Sequence, residues 1–258
     1  MMSGGKSIFI TGAASGIGRA TALLFAFKGW YVGLYDVNKK GLELLSREIG
    51  PGNCCFKTMD VSSTKSVKEG ISHFSKNTGG RMDILFNNAG IIRMGPSENI
   101  KIEDEFRIID INLKGMLNCI HAALGLLKKT SNSRIITMSS ASSLYGTAFL
   151  AVYSATKAAV CSLTESLNLE LDKYGIFVCD IRAPFVKTPL LDQEVKAPSI
   201  NSLGIHLTSD DVAKVVWKSL QKKKIHNDTK GIKPLLMLLK FPSFLRLIII
   251  RSLLLPKK

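Results

Sequence analysis

The sequence has little of several things, and each shortage removes a class of protein. Five of its 258 residues are cysteine: Cys54, Cys55, Cys119, Cys161 and Cys179. They are odd in number, scattered, and contain no C-x-x-C pair. A disulfide framework is therefore excluded, and buried or inert thiols in a reduced, cytoplasmic compartment are expected. Histidines are four (His73, His121, His206 and His226), none at ligand spacing from a cysteine, so no metal site is expected. The N-terminal segment lacks the apolar run of a signal peptide. Repeats and low-complexity tracts are absent. With 46% apolar and 21% charged residues the chain reads as globular. Its length suits a single α/β domain whose core needs no staple.

Acids are also scarce, 20 against 35 bases, for a net charge of +15. The excess is local. From Lys222 to Lys258 eight Lys and two Arg face one acid, Asp228, so this segment carries +9 and residues 1–221 only +6. A basic, leucine-rich tail fits a membrane surface better than nucleic acid. Its aromatics are limited to Phe241 and Phe244, too few for base stacking, and no nucleic-acid partner is expected. Lys240, Arg246, Arg251 and Pro242 interrupt residues 231–258, which fall well short of the roughly 20 apolar residues of a spanning helix. The pattern predicts an interfacial helix pair on a membrane surface. The alternative is a C-terminal helix folded over the substrate cleft or onto a dimer partner.

Strand-like runs at residues 7–11, 30–35, 54–58, 83–86, 134–138 and 176–181 alternate with helical patterns at 18–28, 38–49, 64–77, 102–127, 152–173 and 209–224. The 102–127 stretch has the length of two helices or one bent helix. Such alternation predicts a doubly wound parallel sheet with helices on both faces. No interior linker appears. Residues 1–230 are taken as one catalytic domain and 231–258 as a basic apolar extension. Residues 188–207 have two prolines and weak periodicity, and read as a substrate loop or short helix pair.

Two constellations carry chemistry. Gly12, Ser15, Gly16, Ile17 and Gly18 lie between the first strand and the first helix. Glycines there allow close approach of a diphosphate to the helix N-terminus. Asp36 ends the second strand, twenty residues beyond Gly16, where a carboxylate accepts hydrogen bonds from an adenosine ribose. A plain strand-end turn is the alternative. A carboxylate there repels a 2′-phosphate and Ser15 offers no compensating charge, which favours NAD over NADP. In the second constellation, Tyr153 and Lys157 are four residues apart on one helix face. The neighbouring ammonium favours the tyrosinate. Ser139-Ser140 ends the fifth strand at the sheet edge where ligands bind.

With T-G-x-x-x-G-I-G at 11–18, Asp60-Val61, Asn87-Asn88-Ala89-Gly90, Asn112, Ser140, Y-x-x-x-K at 153–157, and Pro184 with Thr188, the sequence resembles the short-chain dehydrogenase/reductase family. The resemblance implies a Rossmann fold and a catalytic set of Asn112, Ser140, Tyr153 and Lys157. In that set Tyr153 is the acid/base, Lys157 lowers its pKa and holds the nicotinamide ribose, Ser140 holds the substrate oxygen, and Asn112 holds a relay water at a helix kink. It implies adenine contacts at Asp60 and Val61, cofactor contacts at Asn88, Ala89 and Gly90, and nicotinamide contacts at Val186 and Thr188. It also implies a homodimer or homotetramer. One departure stands out: Phe185 follows Pro184 where the family usually has glycine, and is expected to narrow the site. Apolar residues near these positions suit a small apolar alcohol or ketone of steroid, retinoid or lipid type. The expected activity is NAD(H)-dependent alcohol–carbonyl interconversion. The alternative is a membrane-docked NAD(H) sensor or scaffold without significant turnover.

Overall fold

A computed structural model describes residues 5–192 and 194–254. The termini of the two predicted segments, residues 1–4 and 255–258 (with Lys257 and Lys258 of the tail), lie outside the described residues. Strands and helices alternate as β1 (Ser7–Thr11), α1 (Gly16–Phe27), β2 (Tyr31–Asp36), α2 (Lys39–Ile49), β3 (Cys54–Thr58), α3 (Thr64–Thr78), β4 (Ile84–Asn87), α4 (Ile102–Ile109), α5 (Gly115–Lys129), β5 (Arg134–Met138), α6 (Ala151–Leu171) and β6 (Phe177–Arg182). There follow a short strand β7 (Val186–Lys187), α7 (Pro198–Leu203), β8 (Leu207–Thr208), α8 (Ser209–Ser219), β9 (His226–Asp228), α9 (Ile232–Leu238) and α10 (Ser243–Leu254). The main sheet has the order β3-β2-β1-β4-β5-β6-β9, parallel throughout. The strand order reverses between β1 and β4, and the crevice of such a sheet opens there.

The sheet is covered on both faces, which is why its strands read as continuous apolar runs rather than alternating ones. Ile8, Ile10, Val32 and Leu34 face one core with Phe25, Leu42 and Val216. Phe9, Tyr35, Leu85 and Ile135 face the other with Phe74, Cys119 and Val160. Phe9 stacks on Tyr35 at 4.0 Å between ring centres and meets Phe74 edge-on at 5.3 Å. Gly33 makes room for this trio, since a Cβ there would lie 2.5 Å from the Phe74 ring.

Tertiary structure decides between some expectations and corrects others. The 102–127 stretch is the bent helix of its two readings, with a π-helical turn at Asp110–Lys114 between α4 and α5. Residues 188–207 hold a short helix pair, Pro189–Leu191 and α7, the second of their two readings. Helix α8 ends at Ser219 instead of continuing to residue 224, because the chain must turn into β9. Its cap is Thr208, in a capping box with Asp211. The three-residue β9 was not foreseen; it carries too few residues for any periodicity. Among the described residues, no helix is long and apolar enough to cross a membrane. Truncating Phe74 to alanine removes a fully buried ring from the aromatic trio, and urea unfolding should show a loss of about 3–5 kcal/mol.

Candidate active site

The glycine turn owes its shape to a staple from the next strand. Gly12 and Gly16 have φ of +66° and +52°, left-handed values that favour glycine. A Cβ on Gly12 would meet Ala89 Cα at 2.9 Å, and one on Gly18 would lie 2.1 Å from Gly12 O. The Asn88 side chain donates to Thr11 O at 3.0 Å and Gly12 O at 3.1 Å. Thr11 Oγ1 in turn accepts from the Asn88 and Ala89 N–H groups, each at 3.0 Å. Helix α1 starts here with no side-chain cap, so its first-turn N–H groups lack a side-chain partner. Such a terminus attracts an anion. Asp36 closes the far side: its carboxylate accepts from Ala14 N at 3.0 Å and Asn38 N at 2.9 Å.

One cleft of about 320 Å³ runs from this turn to the end of β5. Gly12, Ser15, Gly16, Ile17, Asp36, Asp60, Val61, Asn88, Ala89, Gly90, Ser140, Tyr153, Lys157, Val186 and Thr188 all line it. Gly18 and Asn112 do not. Gly18 is buried under the turn, where its missing side chain lets helix and turn approach. Asn112 sits in the π-helical turn, and its side chain is committed to Ile91: Oδ1 accepts from Ile91 N at 2.8 Å and Nδ2 donates to Ile91 O at 3.0 Å. It borders a small adjoining cavity of about 10 Å³ together with Lys157, Ala89 and Asn87. Both side-chain amide atoms of Asn87 are buried there without a partner.

Helix α6 presents Tyr153 and Lys157 one turn apart. Lys157 is 5% exposed, and its ammonium donates to Met138 O at 2.8 Å while lying 5.6 Å from the centre of the Tyr153 ring. Burial pulls the Lys157 ammonium down to about 8. Burial pushes the Tyr153 phenol up to about 12, opposed by its hydrogen bond with Ser140. Ser140 Oγ also accepts from Ser142 N at 3.1 Å, which fixes its rotamer at the strand end.

Beyond the Tyr153 ring the wall is apolar. Ile92, Met94, Leu150, Leu191, Ala197 and Ile200 are buried, with Phe149, Phe185 and Leu190 packed against them. Phe185 thus fills space beside Tyr153, as its replacement of glycine suggested, and it does so without a left-handed backbone. Phe149 does take φ +68°, held by the Gly95 N–H to Phe149 O hydrogen bond at 3.1 Å. Ser199 lines the same wall with a buried, unpartnered hydroxyl. Helix α9 closes the rim, with Ile232 and Leu235 against Ala141, Leu144 and Tyr145.

Residues 6–199 match the sequence profile described as short chain dehydrogenase. The chain belongs to the short-chain dehydrogenase/reductase family. The chain is 36% identical over 191 residues to the 3-oxoacyl-[acyl-carrier-protein] reductase of Thermotoga maritima, covering 73% of this chain and 77% of that one. It is 30% identical over 216 residues to a cyclohexanol dehydrogenase of Acinetobacter sp., covering 82% and 86%. Among solved structures it resembles the 3-ketoacyl-(acyl-carrier-protein) reductase of Brucella melitensis complexed with NADH. The TM-score is 0.80 at 29% identity, over 87% of this chain and 96% of that one. The enzyme is therefore an oxidoreductase with an NAD(H)-binding fold that acts on CH–OH groups or the corresponding carbonyls.

Ser199 was passed over at the level of sequence, because only the fold brings it to the cleft. Thr11 was read only as part of the glycine motif, though its hydroxyl at the last strand position before the turn was a readable signal. The packing of α9 on the rim was the alternative reading of the tail. The Gly18 contact yields a sharp test. Gly18→Ala forces a Cβ against Gly12 O, an overpacking cost of about 1–3 kcal/mol. NADH affinity, followed by fluorescence titration, should weaken about 5- to 100-fold if the turn yields rather than the whole fold.

Proposed function

We propose that this dehydrogenase interconverts an apolar secondary alcohol and its ketone, or a related alcohol/aldehyde pair, with NAD(H). The observation that carries this reading is the juxtaposition of Tyr153 and Ser140 with the apolar wall around Phe185 and Leu191 in one cleft. The glycine cradle and Asp36 fit a dinucleotide without a 2′-phosphate. Gly12, Ser15, Gly16 and Ile17 would hold its diphosphate, Asp36 its adenosine ribose, and Asp60 and Val61 the adenine. Ala89, Gly90, Lys157, Val186 and Thr188 would hold the nicotinamide half. When bound, that cofactor supplies the ring that takes up or gives the hydride. Asn88 acts mainly by holding the turn, since its amide hydrogens are committed to Thr11 and Gly12.

Ser140 Oγ holds the substrate oxygen and stabilises charge developing on it. Tyr153 Oη gives its proton to that oxygen in reduction and takes the hydroxyl proton in oxidation. The Lys157 ammonium favours the phenolate left by reduction. The small cavity between Lys157 and Asn112 has room for about one water, which gives the proton a route inward from Tyr153. The apolar wall with Ser199 fits a substrate whose body is apolar and which carries a second, distal polar group. Exposed Ile102 and Phe106 on α4 and Leu169 on α6 support pairing of these helices in a homodimer or homotetramer.

The tail belongs to this reading. Its inward face packs on the substrate rim, as the alternative reading had it, and α10 packs against α7. Its outward face shows Met237, Phe241, Phe244, Leu247 and Ile248 to solvent. No acid follows Asp228. An apolar face ringed by Lys and Arg suits an anionic lipid surface, and would set the cleft beside the phase where apolar substrates collect.

Nicotinamide reduction with a panel of cyclic, steroid, retinoid and long-chain alcohols tests the reaction. Turnover should occur with NAD⁺ in preference to NADP⁺. Tyr153→Phe should lose about 10²- to 10⁴-fold in kcat while keeping NADH binding. Preference for NADP⁺ would overturn the role given to Asp36. Oxidation needs the phenolate, so its kcat/KM should rise with pH and flatten above about 8, where the Lys157 ammonium is lost. Reduction needs the phenol, which burial keeps protonated, and should stay flat over the same neutral range. For the tail, the full chain should float with phosphatidylserine vesicles and not with phosphatidylcholine alone. The Lys240→Glu/Arg246→Glu double variant should remain in solution; flotation equal to that of the parent would remove the lipid surface from the proposal.

A further inference from the structure

Behind the catalytic pair, a second polar cluster joins the same helix to the edge of the sheet. Cys161 lies one turn beyond Lys157 on α6, and Glu165 one turn beyond Cys161. In-register pairing of β6 with β9 sets Asp180 beside His226. The Cys161 Sγ, an Asp180 carboxylate oxygen and a His226 ring nitrogen all lie within 4.8 Å of one another. Asp180 is 0% exposed. Its Oδ2 is 2.9 Å from His226 Nδ1, but its Oδ1 is buried with no hydrogen-bond partner. A buried carboxylate oxygen left this way in the interior calls for a cation or a donor. Arg182, two residues along β6, does not answer, because it is paired with Asp228 at 2.7 and 3.2 Å.

We infer that Cys161, Asp180 and His226 form a zinc site, separate from the dehydrogenase cleft. Thiolate, imidazole and carboxylate are zinc's ligand types, and three protein ligands leave a fourth position for water. Around it the fold supplies the partner that metal-bound histidines need: Glu165 Oε1 stands 3.0 Å from His226 Nε2. Without metal, Nδ1 donates to Asp180 Oδ2; on binding, Nε2 would keep its proton toward Glu165 and Nδ1 would turn its lone pair on the zinc. Ser139 Oγ, 3.2 Å from Cys161 Sγ and donating to Lys157 O at 3.3 Å, connects the thiol to the catalytic turn of α6. Binding replaces the thiol S–H bond with a Zn–S bond and releases that proton, and any proton on Nδ1, to solvent; no redox change occurs. Bound there, zinc would clamp α6 to β6 and to the edge strand β9 that leads into the tail. Local sequence spacing excluded a metal site because the three ligands come from positions 161, 180 and 226, joined only by the fold.

The test is zinc binding to the full chain after chelator treatment and dialysis, read by elemental analysis and by competition with a chromophoric chelator. One equivalent is expected, and Co²⁺ in its place should show a thiolate-to-metal charge-transfer band. Cys161→Ser should abolish that band. Glu165→Gln, a surface change that leaves the fold intact, should weaken zinc about 10- to 100-fold. Cys54→Ser should bind as the parent does. NADH titration reports independently on the folded state of each variant and on the dehydrogenase cleft. Failure to retain zinc, or retention unchanged in both Cys161→Ser and Glu165→Gln, would overturn the assignment.

Discussion

Lys157 is an ammonium buried where bulk water barely reaches, and the catalytic end of the cleft is organised by that fact. A buried cation is tolerable only if hydrogen-bonded and near developing negative charge. The Met138 carbonyl supplies the first condition at 2.8 Å. The Tyr153 oxygen supplies the second each time it loses its proton. The two demands fix α6 against the end of β5 and so bring Ser140, the next strand-end residue but one, to the mouth of the cleft. The opposing pKa shifts of Tyr153 and Lys157 have one origin. Low dielectric disfavours the charged form of each, so each is stabilised as an ion only when the other is ionised too.

At the opposite end the constraint is steric. Gly12, Gly18 and Asn88 are packed so closely that no side chain fits between turn and helix. Asn88 answers the turn's carbonyls, so the turn is held before any ligand arrives. A pre-set cradle loses less conformational freedom on binding than a loop that must order itself. The seven-stranded sheet lies between the two ends, and its continuous apolar strands make their separation rigid.

Both ends were legible in the sequence because each is written in local spacing: glycines around a strand–helix junction, and tyrosine and lysine one helical turn apart. The strands themselves were legible because burial on both faces demands unbroken apolar runs. What escaped was assembled by the fold. Strand β9 is three residues long, and its parallel pairing with β6 is visible only after the connection through α8. The break between α4 and α5 was anticipated as a bend, with Asn112 at a kink, but its π-helical form and the contact of Asn112 with Ile91 appear only in the fold. The tail's basic, apolar character was plain, yet its inward contacts depend on Ala141 and Tyr145 presenting a surface for Ile232 and Leu235. Phe185 was identified as a departure from its family, and its effect follows from size: an aromatic ring in place of glycine must occupy part of the cavity beside Tyr153.

Helix α6 is where these threads meet. Tyr153, Lys157, Cys161 and Glu165 recur every fourth residue, so one face of a single 21-residue helix carries first the proposed acid/base pair and then two members of the proposed zinc cluster. A helix is stiff along its axis, and a shift at its middle turn displaces the turn before it. Ser139 shortens the path further, touching Cys161 with its hydroxyl and Lys157 through the backbone. Constraint at Cys161 therefore acts on the position of Lys157 without touching the dinucleotide cradle, which hangs from β1 and β4. By the same geometry, a clamp on β9 steadies the root of α9, and α9 forms the rim of the substrate wall. The cluster is placed to restrain both the proposed proton-transfer group and the substrate rim from behind, with the grip on the diphosphate and adenosine left to the other half of the sheet.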